Sequence, residues 1–121
     1  MSDHLRILVA EDEFIVAFDL CDTVKEAGFE VEGPHSEIST AMLAVQKARP
    51  DLAILDVRLE DGDSFRLAEA LMAEDVPVIF HSGQFSPDEV RQRYPTAIAC
   101  AKPCPPNLML EKVQQALSTT H

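Results

Sequence analysis

Residues 52–57 read L-A-I-L-D-V, four apolar side chains in a row followed by the carboxylate of Asp56. The run is too short for a buried helix, and it lacks the alternation expected of a strand with one wet face. It predicts a strand covered on both sides, as in parallel sheets. Similar runs lie on either side of it, at Leu5 to Ala10 and Phe29 to Gly33 before, and at Val76 to Ser82 and Ala97 to Ala101 after. Between them the spacing becomes helical: Val16, Leu20, Val24 and Ala27 share one face, as do Ile38, Ala41, Met42 and Val45, then Leu67, Ala68, Leu71 and Met72. Gly28 stands where the first helix must stop, while Ser86-Pro87-Asp88-Glu89 combines a capping box with proline at the first helical position. That fourth helix is short, because Pro95 follows soon after, and a fifth runs from about Pro106 with Leu110, Val113 and Leu117 on one side. Strand and helix alternating five times predict an α/β fold, a doubly wound five-stranded parallel sheet with five helices. Ligands of such sheets bind outside the carboxyl ends of the strands, at the point where the strand order reverses.

The chain of 121 residues fits one domain, taken as 1–121, with no internal repeat. Ten basic and twenty-one acidic residues give a formal charge of −11, which argues against nucleic acid or an anionic membrane and favours a protein or a cation as partner. Cys21, Cys100 and Cys104 are an odd number in no spaced framework and are expected to be reduced thiols. The N-terminus, M-S-D-H-L-R, has no basic region ahead of a long apolar run, and no later stretch approaches a membrane span. A soluble, cytoplasmic protein is expected.

The chemistry gathers at the predicted strand ends. The first strand runs into Glu11, Asp12 and Glu13, and the third ends at Asp56. Carboxylates brought so close repel one another unless a cation or protons intervene. An oxygen-only ligand set with an open face suits Mg²⁺. The fourth strand ends in His81-Ser82-Gly83 and the fifth in Ala101-Lys102-Pro103, adding a hydroxyl and an ammonium. A metal cradle, one nucleophilic carboxylate, one hydroxyl and one lysine are the parts of a phosphoryl-transfer site, where catalysis is mostly positioning and charge neutralisation.

Glu11-Asp12 after the first strand, Asp56 after the third, Ser82 after the fourth and Lys102-Pro103 after the fifth together resemble the bacterial receiver domains of two-component response regulators. The likeness covers essentially the whole chain and implies the flavodoxin-like receiver topology, a single receiver domain without an output domain. It implies that Asp56 accepts a phosphoryl group from a phosphohistidine on a histidine kinase or phosphotransfer protein, with Lys102 and Ser82 taking the phosphoryl oxygens. Asp12 and Asp56 would bind Mg²⁺ directly, Glu11 through water, and Arg58 through its backbone carbonyl. A cis peptide is implied at Lys102-Pro103. Output would be non-covalent, as a relay or through an unknown downstream protein target, from a monomer or a phosphorylation-dependent dimer. The fourth helix and the fifth strand and helix would form the signalling surface, with Arg91 and Arg93 on it.

Three features depart from the family pattern: Glu60 in place of a common proline, a Glu60 to Asp63 loop that looks shortened, and Ala99 where an aromatic switch residue is usual. The string V-P-V-I-F-H-S-G-Q-F is similar to the signature of the FATGUY-type receivers, which also lack that aromatic. Switching is therefore assigned to Gly83 and Phe85, and phosphoryl lifetime to Arg58 and Gln84. Glu13 is taken as a carboxylate favoured by a helix N-terminus, Glu60 to Asp63 as a solvated loop and His81 as a satisfied core histidine. A dehalogenase-like phosphatase needs a second carboxylate where Arg58 stands, so a turnover enzyme is not expected. The acidic first loop disfavours a flavin binder. The remaining alternative is a receiver-like module that binds proteins without being phosphorylated.

Overall fold

The computed structural model describes residues 4–83 and 85–118. In chain order they form β1 (Arg6–Ala10), α1 (Phe14–Glu26), β2 (Glu30–His35), α2 (Ile38–Lys47), β3 (Leu52–Leu55), β4 (Arg58–Leu59), β5 (Gly62–Asp63), α3 (Phe65–Ala73), β6 (Val78–Ser82), α4 (Pro87–Arg93), β7 (Ile98–Ala101) and α5 (Pro106–Ser118). The main sheet has the order β2-β1-β3-β6-β7, and every neighbouring pair is parallel. The chain steps outward from β1 to β2, then returns to the other side of β1 for β3. Order therefore reverses between β1 and β3, and the crevice beyond their carboxyl ends is where such a sheet holds its ligands.

Both faces of the sheet are covered, as the apolar run in β3 requires. Leu8, Ala53, Leu55, Val78 and Phe80 pack with α2 and α3 residues such as Ala41, Leu67 and Leu71. Ile7, Val9, Leu52, Ile54 and Ile79 pack on the opposite face with Leu20, Val24, Met109 and Val113 of α1 and α5. The buried stripes lie slightly off the predicted ones. In α1 they are Ala17, Leu20, Cys21 and Val24, and in α5 Met109, Val113 and Ala116, so Leu110 and Leu117 flank the α5 core face instead of both defining it. Gly28 ends α1 in the left-handed region with φ 98°. The Lys102-Pro103 peptide is cis, and so is Gly33-Pro34. At Gly33 (φ 125°) a Cβ would lie 2.6 Å from the Val9 carbonyl oxygen, so β2 can approach β1 there only as glycine.

One expectation is refined and one overturned. The Glu60 to Asp63 segment is largely exposed, as expected, but it is ordered: Glu60 and Asp61 turn the chain from β4 into antiparallel β5, and Asp61 accepts the Ile38 and Ser39 N–H groups at 2.6 and 3.1 Å. It caps α2 from 23 residues away, and the Ile38 N–H bond leads the contacts that lower its carboxyl pKa. Cys100 and Cys104 are not reduced thiols but a disulfide: the turn at Lys102-Pro103 folds the chain back until their Cα atoms are 6.2 Å apart. Cys21 remains a free, buried thiol.

Candidate functional site at the carboxyl edge of the sheet

The backbone sets the frame. Asp56 N–H donates to the Ala10 carbonyl at 2.8 Å and Glu11 N–H to the His35 carbonyl at 2.9 Å, which fixes both residues just past their strands. Buried Ser64 locks the other side, its hydroxyl donating to the Asp56 carbonyl at 2.6 Å and its N–H to that of Val57 at 2.8 Å. On the neighbouring edge Lys102 N–H donates to the Ser82 carbonyl at 3.0 Å, so the ends of β6 and β7 advance together.

Into this frame project Glu11, Asp12 and Asp56, each offering a carboxylate oxygen within 4.8 Å of the others. Glu11 and Asp56 are 2% and 7% exposed, while Asp12 is only partly buried. The Lys102 ammonium lies 2.9 Å from Asp56 Oδ2, from Glu11 Oε1 and from Glu13 Oε1. One cation thus bridges three carboxylates, two from the turn after β1 and one from the end of β3. Sequence reasoning left Glu13 out, because its bond is made to a lysine 89 residues away and nothing local signals it.

These contacts sort the acids. Burial pushes the Asp56 carboxyl up to about 6 against the pull of Lys102, helped by the negative charge of Glu11. At Glu11 burial acts in the same upward direction but is overcome by His81, by the Glu13 N–H and by Lys102, which hold it well below the usual range. Burial and the Glu11 charge raise Asp12. For Lys102 burial disfavours the charge, yet its bonds to Glu13, Asp56 and Glu11 raise the ammonium pKa. The set is one of acids held together by a single lysine, with negative charge left over.

His81 is buried as expected; among the described residues neither of its ring nitrogens has a hydrogen-bond partner, and Nδ1 lies 3.7 Å from Glu11 Oε1. Ser82 accepts the Phe85 N–H at 3.1 Å, coupling the hydroxyl to the loop ahead of α4. Arg58 is exposed, and its N–H reaches Asp56 Oδ1 at 3.4 Å. Gln84 lies outside the described residues. Gly83 does not have a positive φ, and a Cβ there would only touch Lys102 at 3.7 Å.

Beside buried Ala99 stand aromatic rings supplied by other elements. Phe65 of α3, Phe80 of β6 and Tyr94 at the end of α4 lie 5.5–5.8 Å apart, centroid to centroid, with Phe85 6.1 Å from Phe65. The Arg93 guanidinium sits 4.0 Å over the Phe65 ring, and Arg91 pairs with Asp88. Ala99 pairs with Phe80 across the sheet, so the apolar volume that an aromatic on β7 would supply comes from α3, β6 and α4.

With order, edge and side chains in place, residues 7–114 match the response regulator receiver domain family, and the chain belongs to it. The transcriptional regulatory protein PdtaR of Mycobacterium tuberculosis is 29% identical over 96 residues, covering 79% of this chain and 47% of that protein. The phyllosphere-induced regulator PhyR of Methylorubrum extorquens is 32% identical over 115 residues, 93% of this chain and 43% of that protein. The chain thus spans about half the length of the curated relatives it matches. A response regulator receiver protein from Sinorhizobium medicae has the same fold, with a TM-score of 0.88 over 98% of each chain at 24% identity. No helix among the described residues is long and apolar enough to cross a membrane.

Proposed function

We propose that this receiver domain accepts a phosphoryl group on Asp56 from a phosphohistidine donor and passes the change to a protein partner. The observation that carries this reading is the Lys102 ammonium 2.9 Å from Asp56 Oδ2, at the one edge where Glu11 and Asp12 also converge. An all-oxygen donor set with surplus negative charge and one solvent-facing member fits a hard divalent cation. Glu11, Asp12, Asp56 and the Arg58 carbonyl would hold Mg²⁺, which when bound neutralises charge on the transferring phosphoryl group.

The chain's own residues do the rest. An Asp56 carboxylate oxygen attacks phosphorus as the bond to the donor imidazole nitrogen breaks, and the electron pair returns to that nitrogen. Lys102, already beside the attacking carboxylate, moves its contact to a phosphoryl oxygen. Ser82 gives up the Phe85 N–H and turns its hydroxyl to another. Arg58 and Gln84, each two residues beyond a site residue, control access of water to the acyl phosphate. A donor protein would approach over Phe14 and Ile15, which are 75% and 76% exposed at the start of α1 next to Glu13.

Intact-mass analysis after incubation with acetyl phosphate tests the reading: one phosphoryl group is gained with Mg²⁺ and none when the metal is chelated. No gain under either condition would favour the binding-only module. The lifetime role is tested separately, since Arg58→Ala with Gln84→Ala should change the dephosphorylation rate, and an unchanged rate removes those two residues from it.

A further inference from the structure

Two sulfur atoms bracket the residue on which the site depends. Cys100 lies buried near the end of β7, and Cys104 lies half-buried just past Lys102 and Pro103. Their disulfide closes a ring that contains only Ala101, Lys102 and Pro103 between the two cysteines. The Cα separation of 6.2 Å is one that a disulfide spans without moving the backbone. Cys104 also lines a solvent-open cavity of about 760 Å³ between α1 and α5, together with Leu20, His81, Lys102 and Met109.

So short a closed loop removes little entropy from the unfolded chain, and the bond can contribute only modestly to global stability. Its main effect is local. It ties the start of α5 to the end of β7 across Lys102, the residue whose ammonium holds Asp56, Glu11 and Glu13. We propose that Cys100 and Cys104 are a reversible redox-modification site, and that the disulfide speeds phosphoryl capture by holding Lys102 in register with Asp56. Pre-set geometry of this kind lowers the ordering cost of the transfer. With the thiols reduced, the turn loses its tether and Lys102 must be ordered at each event. The coupling to phosphoryl capture rests on the function proposed above.

A hydroperoxide suffices as oxidant. With hydrogen peroxide, the Cys104 sulfur attacks one oxygen, an S–O bond forms, the O–O bond breaks, and the departing hydroxide takes the thiol proton and leaves as the first water. The Cys100 sulfur then attacks the sulfenic sulfur, the S–S bond forms, the S–O bond breaks and a second water carries off the oxygen. Two electrons pass from the sulfurs to the peroxide, and a small dithiol returns them by exchange.

The test uses the full chain, treated with hydrogen peroxide or dithiothreitol and then desalted. Peptide mapping should find Cys100 joined to Cys104 in the oxidised sample and both free in the reduced one. Initial phosphoryl uptake from acetyl phosphate with Mg²⁺ should then be about fivefold faster in the oxidised sample. The difference should vanish in a Cys100→Ser, Cys104→Ser variant treated the same way. Failure of the two cysteines to pair would overturn the proposal, as would a rate difference that persists in the double variant. Equal, measurable uptake by both redox forms overturns the coupling alone. No uptake by either form defeats the phosphoryl-acceptor function and the coupling together.

Discussion

Asp56 sits between two opposing influences, burial that favours its proton and a lysine that favours its charge, and burial prevails, leaving the carboxyl near a pKa of about 6. A divalent cation binds the deprotonated form, so below about pH 6 each binding event must also release a proton. The sign follows directly: apparent Mg²⁺ affinity should fall with decreasing pH, by roughly tenfold between about pH 7 and about pH 5, and level off above neutrality. Calorimetric titration at the two pH values checks this, and equal affinities would mean that Asp56 is not a ligand. Asp12 is raised by burial and by the Glu11 charge, so its ionised form is disfavoured in the metal-free fold. Asp12→Ala should therefore weaken Mg²⁺ binding while raising the metal-free Tm by roughly a few degrees, as relief of carboxylate repulsion predicts. Thermal melts with and without Mg²⁺ separate the two effects, and a lower metal-free Tm would contradict the account. Glu13 shows the limit of sequence reading at this scale. Its place at the start of α1 is explained by local rules, but its bond to Lys102 depends on two strand ends meeting in space.

At the scale of elements, local chemistry was legible and distant chemistry was not. The α4 capping box is a four-residue pattern, and both of its bonds are made: Glu89 N–H to the Ser86 hydroxyl and Ser86 N–H to the Glu89 carboxylate. Ser86→Ala should cost about 1 kcal/mol and speed amide exchange through residues 87–93. An unchanged exchange profile would show that α4 is held by packing of Val90 and Tyr94 alone. The Asp61 cap on α2 and the Cys100–Cys104 bond gave no such signal, because each depends on where a hairpin or a turn brings the chain back. The switch belongs to this scale too. Ser82 holds the Phe85 N–H, and Phe85 belongs to the aromatic group around Phe65, so turning the hydroxyl toward a phosphoryl group frees the loop ahead of α4. Amide exchange with a beryllofluoride mimic should change protection at residues 85–94. A response confined to β7 around Ala99 would place the switch elsewhere. Arg93 is held over the Phe65 ring, so on the proposed switch any rearrangement of the rings should move it as well.

Over the whole molecule, the alternation of apolar runs and helical stripes sufficed for the sheet, because a strand buried on both faces has few other readings. Convergence at the carboxyl edge followed from the topology, since β1 and β3 flank the reversal of strand order and β6 and β7 continue the same edge. What the sequence could not supply was the network within that edge. Lys102, Glu11 and Asp56 could be assigned to the site from their positions, but that Lys102 bridges the two and Glu13 as well could be identified only from the fold. The formal charge of −11 gives the molecule a field that repels polyanions and favours cations. The central claim is that this edge works as one phosphoryl-accepting unit with Asp56 as the nucleophile. Asp56→Asn keeps the side-chain shape and removes the attacking carboxylate. Intact-mass analysis of that variant and the parent chain, each incubated with acetyl phosphate and Mg²⁺, should show one added phosphoryl group on the parent and none on the variant at equal thermal stability. Magnesium-dependent uptake by the variant at the parent's rate would contradict the account.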